Sequence, residues 1–208
     1  LVFSKTVEGM ELEDGSKVGQ MSVGVGYRLE RKDKVKPNKG LNDCLSDIYE
    51  IVPVEKRNVY VFFPAEKESS GLRFCIHAPF ASTAARDSIC DTADNRNLMA
   101  YVSELQIESL VYLREEGFLT TEFLEVLPNS RDCIGDMYQC FWQNLVSAFN
   151  KDCFVPKKYG GFAPAKHLYR GSAAISDIMS DTDLSDLTWR EPISWMKNPS
   201  QNHSNADR

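Results

Sequence analysis

The sequence predicts an α+β fold, a mixed β-sheet covered by helices, and three observations carry that prediction. Two apolar stretches rich in β-branched and aromatic residues, 59–65 and 72–78, flank the polar turn 66–71. An earlier stretch, 21–29, alternates apolar and small residues with period two. Beyond residue 97 the apolar spacing changes to that of helices, which need a sheet to lie on.

Taken in order, residues 1–7 and 18–30 read as strands about the turn Glu13-Asp14-Gly15-Ser16. Met21, Val23, Val25, Tyr27 and Leu29 share one face. Gly24 and Gly26 share the other, where another backbone or helix is expected to pack closely. Glycines two apart inside a strand do not make a nucleotide loop. Residues 31–40 carry five cations and one acid, a solvated hairpin tip that touches phosphate only if it folds toward a neighbouring nucleotide domain. A short segment, 42–51, leads to the central strands.

In residues 72–78, Leu72, Phe74, Ile76 and Ala78 fall on one side and Arg73, Cys75 and His77 on the other. Pro79 removes a ladder donor, so the strand ends there or lies at an edge. The run Ala81-Ser-Thr-Ala-Ala-Arg86-Asp87 then makes a small-residue turn with one cation at the strand exit, where ligands and partners of open sheets are often met. Residues 94–97 offer capping side chains ahead of Leu98, Val102, Leu105, Leu110 and Leu113, and Gly117 supplies the stop. Thr120 or Thr121 caps a short helix over 124–127, ended by Pro128-Asn129. A third helix, 136–150, places Met137, Phe141, Leu145, Ala148 and Phe149 on one face. Residues 153–156 and 159–169 read as two short strands about a Gly-Gly turn. Acidic helical turns follow at 176–179 and 183–187, then a polar tail from 198.

Composition narrows the function. With 42% hydrophobic and 26% charged residues in 208, the chain has the make-up of a globular protein able to bury a full core. A net charge of −6 gives no general pull toward nucleic acid or an anionic membrane. No apolar run approaches membrane-spanning length and no signal pattern opens the chain, which begins at Leu1, so it reads as a cytoplasmic piece of something larger. The six cysteines, at 44, 75, 90, 133, 140 and 153, include no C-x-x-C pair and are expected to be free buried thiols rather than disulfides or zinc ligands. Cys75 and His77 share a strand face and suggest a thiol hydrolase, although no third orienting group is evident. Asp177, Asp181, Asp183 and Asp186 hint at calcium but lack the glycine and terminal glutamate of a binding loop.

The run Phe62-Phe-Pro-Ala, then Gly71-Leu-Arg-Phe-Cys-Ile-His-Ala-Pro-Phe-Ala-Ser-Thr-Ala-Ala-Arg-Asp-Ser88, then Asn97-Leu98, resembles the segment that follows the nucleotide-binding domain in large bacterial proteins of the gyrase, heat-shock chaperone, histidine kinase and MutL (GHKL) ATPase superfamily. It is also similar to the repeats of sacsin. The likeness spans residues 59–187 and is sharpest over 71–88.

That resemblance implies a transducer or middle domain, chaperone-like in setting, which relays the ATPase state to the rest of the parent. It implies a β-rich segment over 1–58 continuing from a missing N-terminal ATPase domain, an α/β transducer-like core over 59–170, and short helices with a polar tail over 171–208. ATP and magnesium would belong to the parent, because the superfamily's Asp-x-Gly-x-Gly turn and its magnesium-holding Asn are missing from this chain, which therefore has no complete active site. Partners would be the N-terminal ATP-binding domain, downstream domains and a second copy of the chain. Middle domains of this superfamily lend a cation to the γ-phosphate. Arg86 is the first candidate for that role, with Arg73 and Lys67 behind it; otherwise Arg86 pairs with Asp87, Asp91 or Asp94. A protein-binding module with no ATPase link is the remaining alternative.

Overall fold

Two ten-residue strands, β1 (Val2–Glu11) and β2 (Lys17–Gly26), pair antiparallel from Val2 opposite Gly26 to Glu11 opposite Lys17 in a computed structural model that describes residues 1–32, 44–190 and 192–198. The chain continues through β3 (Arg28–Arg31), the single-turn helix α1 (Leu45–Ile48) and β4 (Tyr49–Val52), with β3 and β4 antiparallel. Two short strands, β5 (Val59–Tyr60) and β6 (Cys75–His77), complete the main sheet in the order β1-β2-β6-β5. Since β6 runs antiparallel to β2 and parallel to β5, the sheet is mixed.

The alternation over 72–78 predicts burial well and pairing poorly. Leu72, Phe74, Ile76 and Ala78 are all at most 3% exposed, yet the ladder covers only residues 75–77. Before Cys75, the Leu72 carbonyl accepts from Asn58 Nδ2 and the Arg73 carbonyl from the Val54 amide, so the backbone is satisfied outside the sheet. The expected strand over 59–65 is shorter still. After Tyr60 the chain doubles back: the Val61 amide donates to the Phe63 carbonyl, Tyr60 bridges to Pro64, and Phe62 is left 82% exposed at the tip. Pro79 follows the end of an interior strand, not an edge.

Helix α2 (Ala93–Glu115) covers one face of the sheet. Its buried Leu98, Met99, Val102, Leu105, Leu110 and Leu113 share a core with Val23, Val25, Phe74 and Ile76, each full burial stabilising by roughly 1.5–3 kcal/mol. The cap is Thr92, whose Oγ1 accepts from the Asn95 amide, rather than a residue of 94–97. Gly117 ends the helix at φ +76°, where a Cβ would lie 2.8 Å from Ser46 Oγ.

A 3-10 turn replaces the expected helix over 124–127. It covers Phe123–Glu125, and Thr120 Oγ1 accepts from the Phe123 amide. The third helix divides into a 3-10 turn, Asp136–Tyr138, and α3 (Gln139–Lys151). Its Phe141 meets Phe74 with ring centroids 5.8 Å apart. Gly71, at φ +75°, marks a tight crossing of chains, because a Cβ there would stand 2.3 Å from the Cys133 carbonyl oxygen.

The strands β7 (Val155–Pro156) and β8 (Phe162–Ala163) form the expected hairpin around Gly160 and Gly161. The last part of the chain holds β9 (Leu168–Tyr169), α4 (Ala173–Ile178), α5 (Asp181–Thr188) and β10 (Ser194–Trp195), with β9 and β10 parallel. A second, small core of Leu184, Ile193 and Trp195 sits here, apart from the cluster that runs from Val7 to Phe154. Among the described residues no helix is long and apolar enough to cross a membrane.

Candidate functional site

The turn after β6 is a small hairpin. Ser82 and Ile89 bridge antiparallel, the Thr83 amide donates to the Ser88 carbonyl at 3.0 Å, and the Arg86 amide donates to the Thr83 carbonyl at 2.9 Å. This geometry places Arg86 at the tip with φ +58°, a left-handed conformation that costs a non-glycine residue roughly 1–2 kcal/mol. Its side chain is exposed, and the guanidinium carbon lies 5.9 Å from the centroid of the Phe63 ring, a contact worth about 0.5–1 kcal/mol at the surface.

The three acids that sequence offers as partners for Arg86 are engaged elsewhere. Asp87 pairs with Lys67 at 2.6 Å, Asp91 holds Arg96 through two bonds of 2.6 Å, and Asp94 accepts from the Glu13 amide at 3.0 Å. The Lys67 ammonium holds the Asp87 carboxyl below the usual carboxylate range. Arg86 itself has no ion pair among the described residues, and its guanidinium lies over the Phe63 ring.

Two further groups fasten this hairpin, and sequence gives no sign of either. Asn95, buried in the first turn of α2, accepts from the Ala81 amide at 2.8 Å and donates to the carbonyls of Ala81 and Cys90 at 2.9 and 2.7 Å. Glu68 accepts from the Ile89 amide through Oε2 at 3.0 Å and from the Tyr138 hydroxyl through Oε1 at 2.8 Å. In sequence, Asn95 stands among other capping residues and Glu68 among other charges of a turn. Only the fold selects them.

Arg73 belongs to the scaffold. It donates to the Glu125 carbonyl at 2.8 Å and pairs with Asp132 at 2.5 Å, fixing the 3-10 turn to the sheet. Lys67, through Asp87, stands beside the Arg86 hairpin. Arg31 is the last residue of β3, and Lys32 donates to the Ser46 carbonyl at 2.6 Å; the rest of the basic run, 33–40, lies outside the described residues.

Cys75 and His77 project from the face of the sheet that α2 does not cover. Opposite them in β2 stand Gly26 and Gly24. The expected close-packed backbone is not what these glycines serve: added Cβ atoms would meet only ordinary contacts, 3.4 Å from the Phe3 carbonyl oxygen and 3.4 Å from Cys75 Cβ. The glycines instead keep open a groove of about 410 Å³, lined among others by Val2, Gly24, Gly26, Tyr60, Phe62 and His77. Burial pushes the Cys75 thiol above its ordinary pKa, and the His77 ring packs edge-on against Phe62 at 6.1 Å. A thiol so placed is protonated at neutral pH, the opposite of an activated nucleophile.

The six cysteines are free, but none is fully buried: Cys44, Cys133 and Cys153 are exposed, and Cys75, Cys90 and Cys140 are half-buried. The aspartates near the C-terminus build local structure. Asp177 pairs with Lys158 at 2.5 Å, Asp181 accepts from the Trp195 amide, Asp183 completes a capping box with Ser180, and Asp186 is exposed. Among the described residues no cluster of three or more His, Cys, Asp or Glu side chains could hold a metal ion.

Known protein families, curated proteins and solved structures yield no match to this chain. The arrangement around Arg86 therefore rests on its own geometry, which offers one unneutralised cation on a braced, small-residue hairpin.

Proposed function

We propose that this chain is a non-catalytic transducer module of an ATP-binding parent, and that Arg86 reaches the γ-phosphate of ATP held by the N-terminal domain of the same protein. One observation carries the reading: Arg86 is exposed, set at a left-handed hairpin tip and supported by Phe63, while every acid near it in sequence is bound to another group. A cation held in advance at the position of developing phosphoryl charge stabilises the transition state without reorganising at the moment of reaction. ATP and Mg²⁺ are bound by the preceding domain; this chain supplies position and one charge. Downstream domains receive the movement, and self-association of parent chains would bring two such modules together.

ATP turnover of the full-length parent tests the reading. Arg86→Ala lowers kcat on the order of a hundredfold with little change in KM, and Arg86→Lys restores only part of it. An unchanged kcat overturns the assignment. A second reading, a protein-binding module with no ATPase link, draws on the uncovered sheet face, whose groove suits an apolar segment of a partner protein. It gains ground if the parent lacks a nucleotide fold ahead of residue 1.

A further inference from the structure

The Arg86 hairpin is fastened on two sides. Asn95 ties its base to α2, and Glu68 ties its outgoing strand to the layer of α3. The second tie is the unusual one, because a single carboxylate divides its oxygens between two elements that share no other hydrogen bond among the described residues. Oε2 takes the Ile89 amide, in register opposite Ser82, and Oε1 takes the hydroxyl of Tyr138, a ring only 2% exposed. The backbone carries the same connection. The Lys67 amide donates to the Asp87 carbonyl at 2.8 Å, and the Gly135 amide donates to the Ser70 carbonyl at 3.2 Å, so residues 67–70 touch the hairpin on one side and the turn before α3 on the other.

We propose that Glu68 is the positioning residue for Arg86 and that Tyr138-Glu68-Ile89 is the link through which a shift of the α3 layer moves the guanidinium. The inference rests on the reading of Arg86 given above. Tyr138 is suited to the role because its ring is locked in the core while its hydroxyl emerges at the edge; burial first, and then the Glu68 carboxylate, hold the phenol protonated well above its ordinary range. The hydroxyl therefore stays a donor. Glu68 in turn is half-buried, and a carboxylate that accepts two hydrogen bonds in such a site holds its partners more firmly than a neutral acceptor does.

Amide hydrogen exchange on the 208-residue chain, with ATP turnover of the full-length parent beside it, tests the link. Tyr138→Phe removes one oxygen that never touches the hairpin, yet the Ile89 amide is expected to exchange about tenfold faster. Glu68→Ala has at least that effect. Glu68→Gln rescues in part, since its amide oxygen accepts from Ile89 and its NH₂ donates to the Tyr138 oxygen, but without the charge. In the parent, Glu68→Ala and Tyr138→Phe lower kcat and leave KM unchanged. Exchange at Ile89 that is the same in Tyr138→Phe and wild type, with α2 amides protected equally in both, overturns the link. Faster exchange with unchanged kcat upholds the link and removes the phosphate role of Arg86, so the two failures are told apart.

Discussion

Cys75 shows how a residue that looks reactive in sequence is disarmed by its surroundings. The half-buried thiol faces a groove floored by glycine backbone and bordered by Val2 and Phe62, and that apolar setting disfavours the thiolate and raises the pKa. Because a raised pKa lowers the thiolate fraction at every pH below it, iodoacetamide at neutral pH should label exposed Cys44, Cys133 and Cys153 first and Cys75 slowly. The Cys75 rate should still be well short of half its limit in the region around pH 8.5 where an unperturbed thiol is half ionised, and should keep climbing above it. Mass-spectrometric mapping of the labelled peptides reads this directly; one hyper-reactive Cys75 at neutral pH would instead restore the thiol hydrolase. Arg86 is the converse case: its neighbours in sequence read as a neutralising set, and the fold directs each acid to another donor.

The hairpin over 82–89 buries only Ile89 in the main core, so the rest of it depends on polar ties to α2 and to the 66–71 turn. Asn95→Ala removes three part-buried hydrogen bonds and leaves the Ala81 amide without its acceptor, which should destabilise the chain by about 3 kcal/mol. Urea denaturation followed by circular dichroism measures it, and a loss below about 0.5 kcal/mol would mean that the hairpin closes without the asparagine. Local pattern made other elements legible. Period-two burial of Leu72, Phe74, Ile76 and Ala78, the helical spacing from Leu98 to Leu113 and the stop at Gly117 all follow from which face meets the core. What stayed hidden depends on partners distant in sequence. Phe62 and Phe63 have strand propensity, yet Pro64 and the bridge back to Tyr60 turn the chain there. Gly24 and Gly26 announce a special face without saying whether it is filled or open. Glu68 looks like Glu66 until Tyr138 and Ile89 arrive on either side of it.

At the scale of the molecule, the two separate hydrophobic clusters imply two levels of stability. The large one draws on β1, β2, β5, β6, α2 and α3, whereas the small one has Leu184, Ile193 and Trp195 with Met179 packed against them. At roughly 1.5–3 kcal/mol for each buried side chain, the small cluster cannot by itself offset about 1–2 kcal/mol of backbone entropy per residue ordered. It relies on being sewn to the β7–β8 hairpin: the Lys158 amide donates to the Trp195 carbonyl, the Lys197 amide to the Pro156 carbonyl, and the Lys158 ammonium pairs with Asp177. Trp195 is the wedge, with its indole N–H on the Met179 carbonyl and its ring so close to Gly171 that a Cβ there would lie 2.6 Å away. Trp195→Ala should therefore release residues 171–197 while the sheet and α2 hold. Hydrogen exchange resolved by peptide would show α4 and α5 losing protection and residues 98–113 keeping theirs. Equal loss in both regions would mean one cooperative unit.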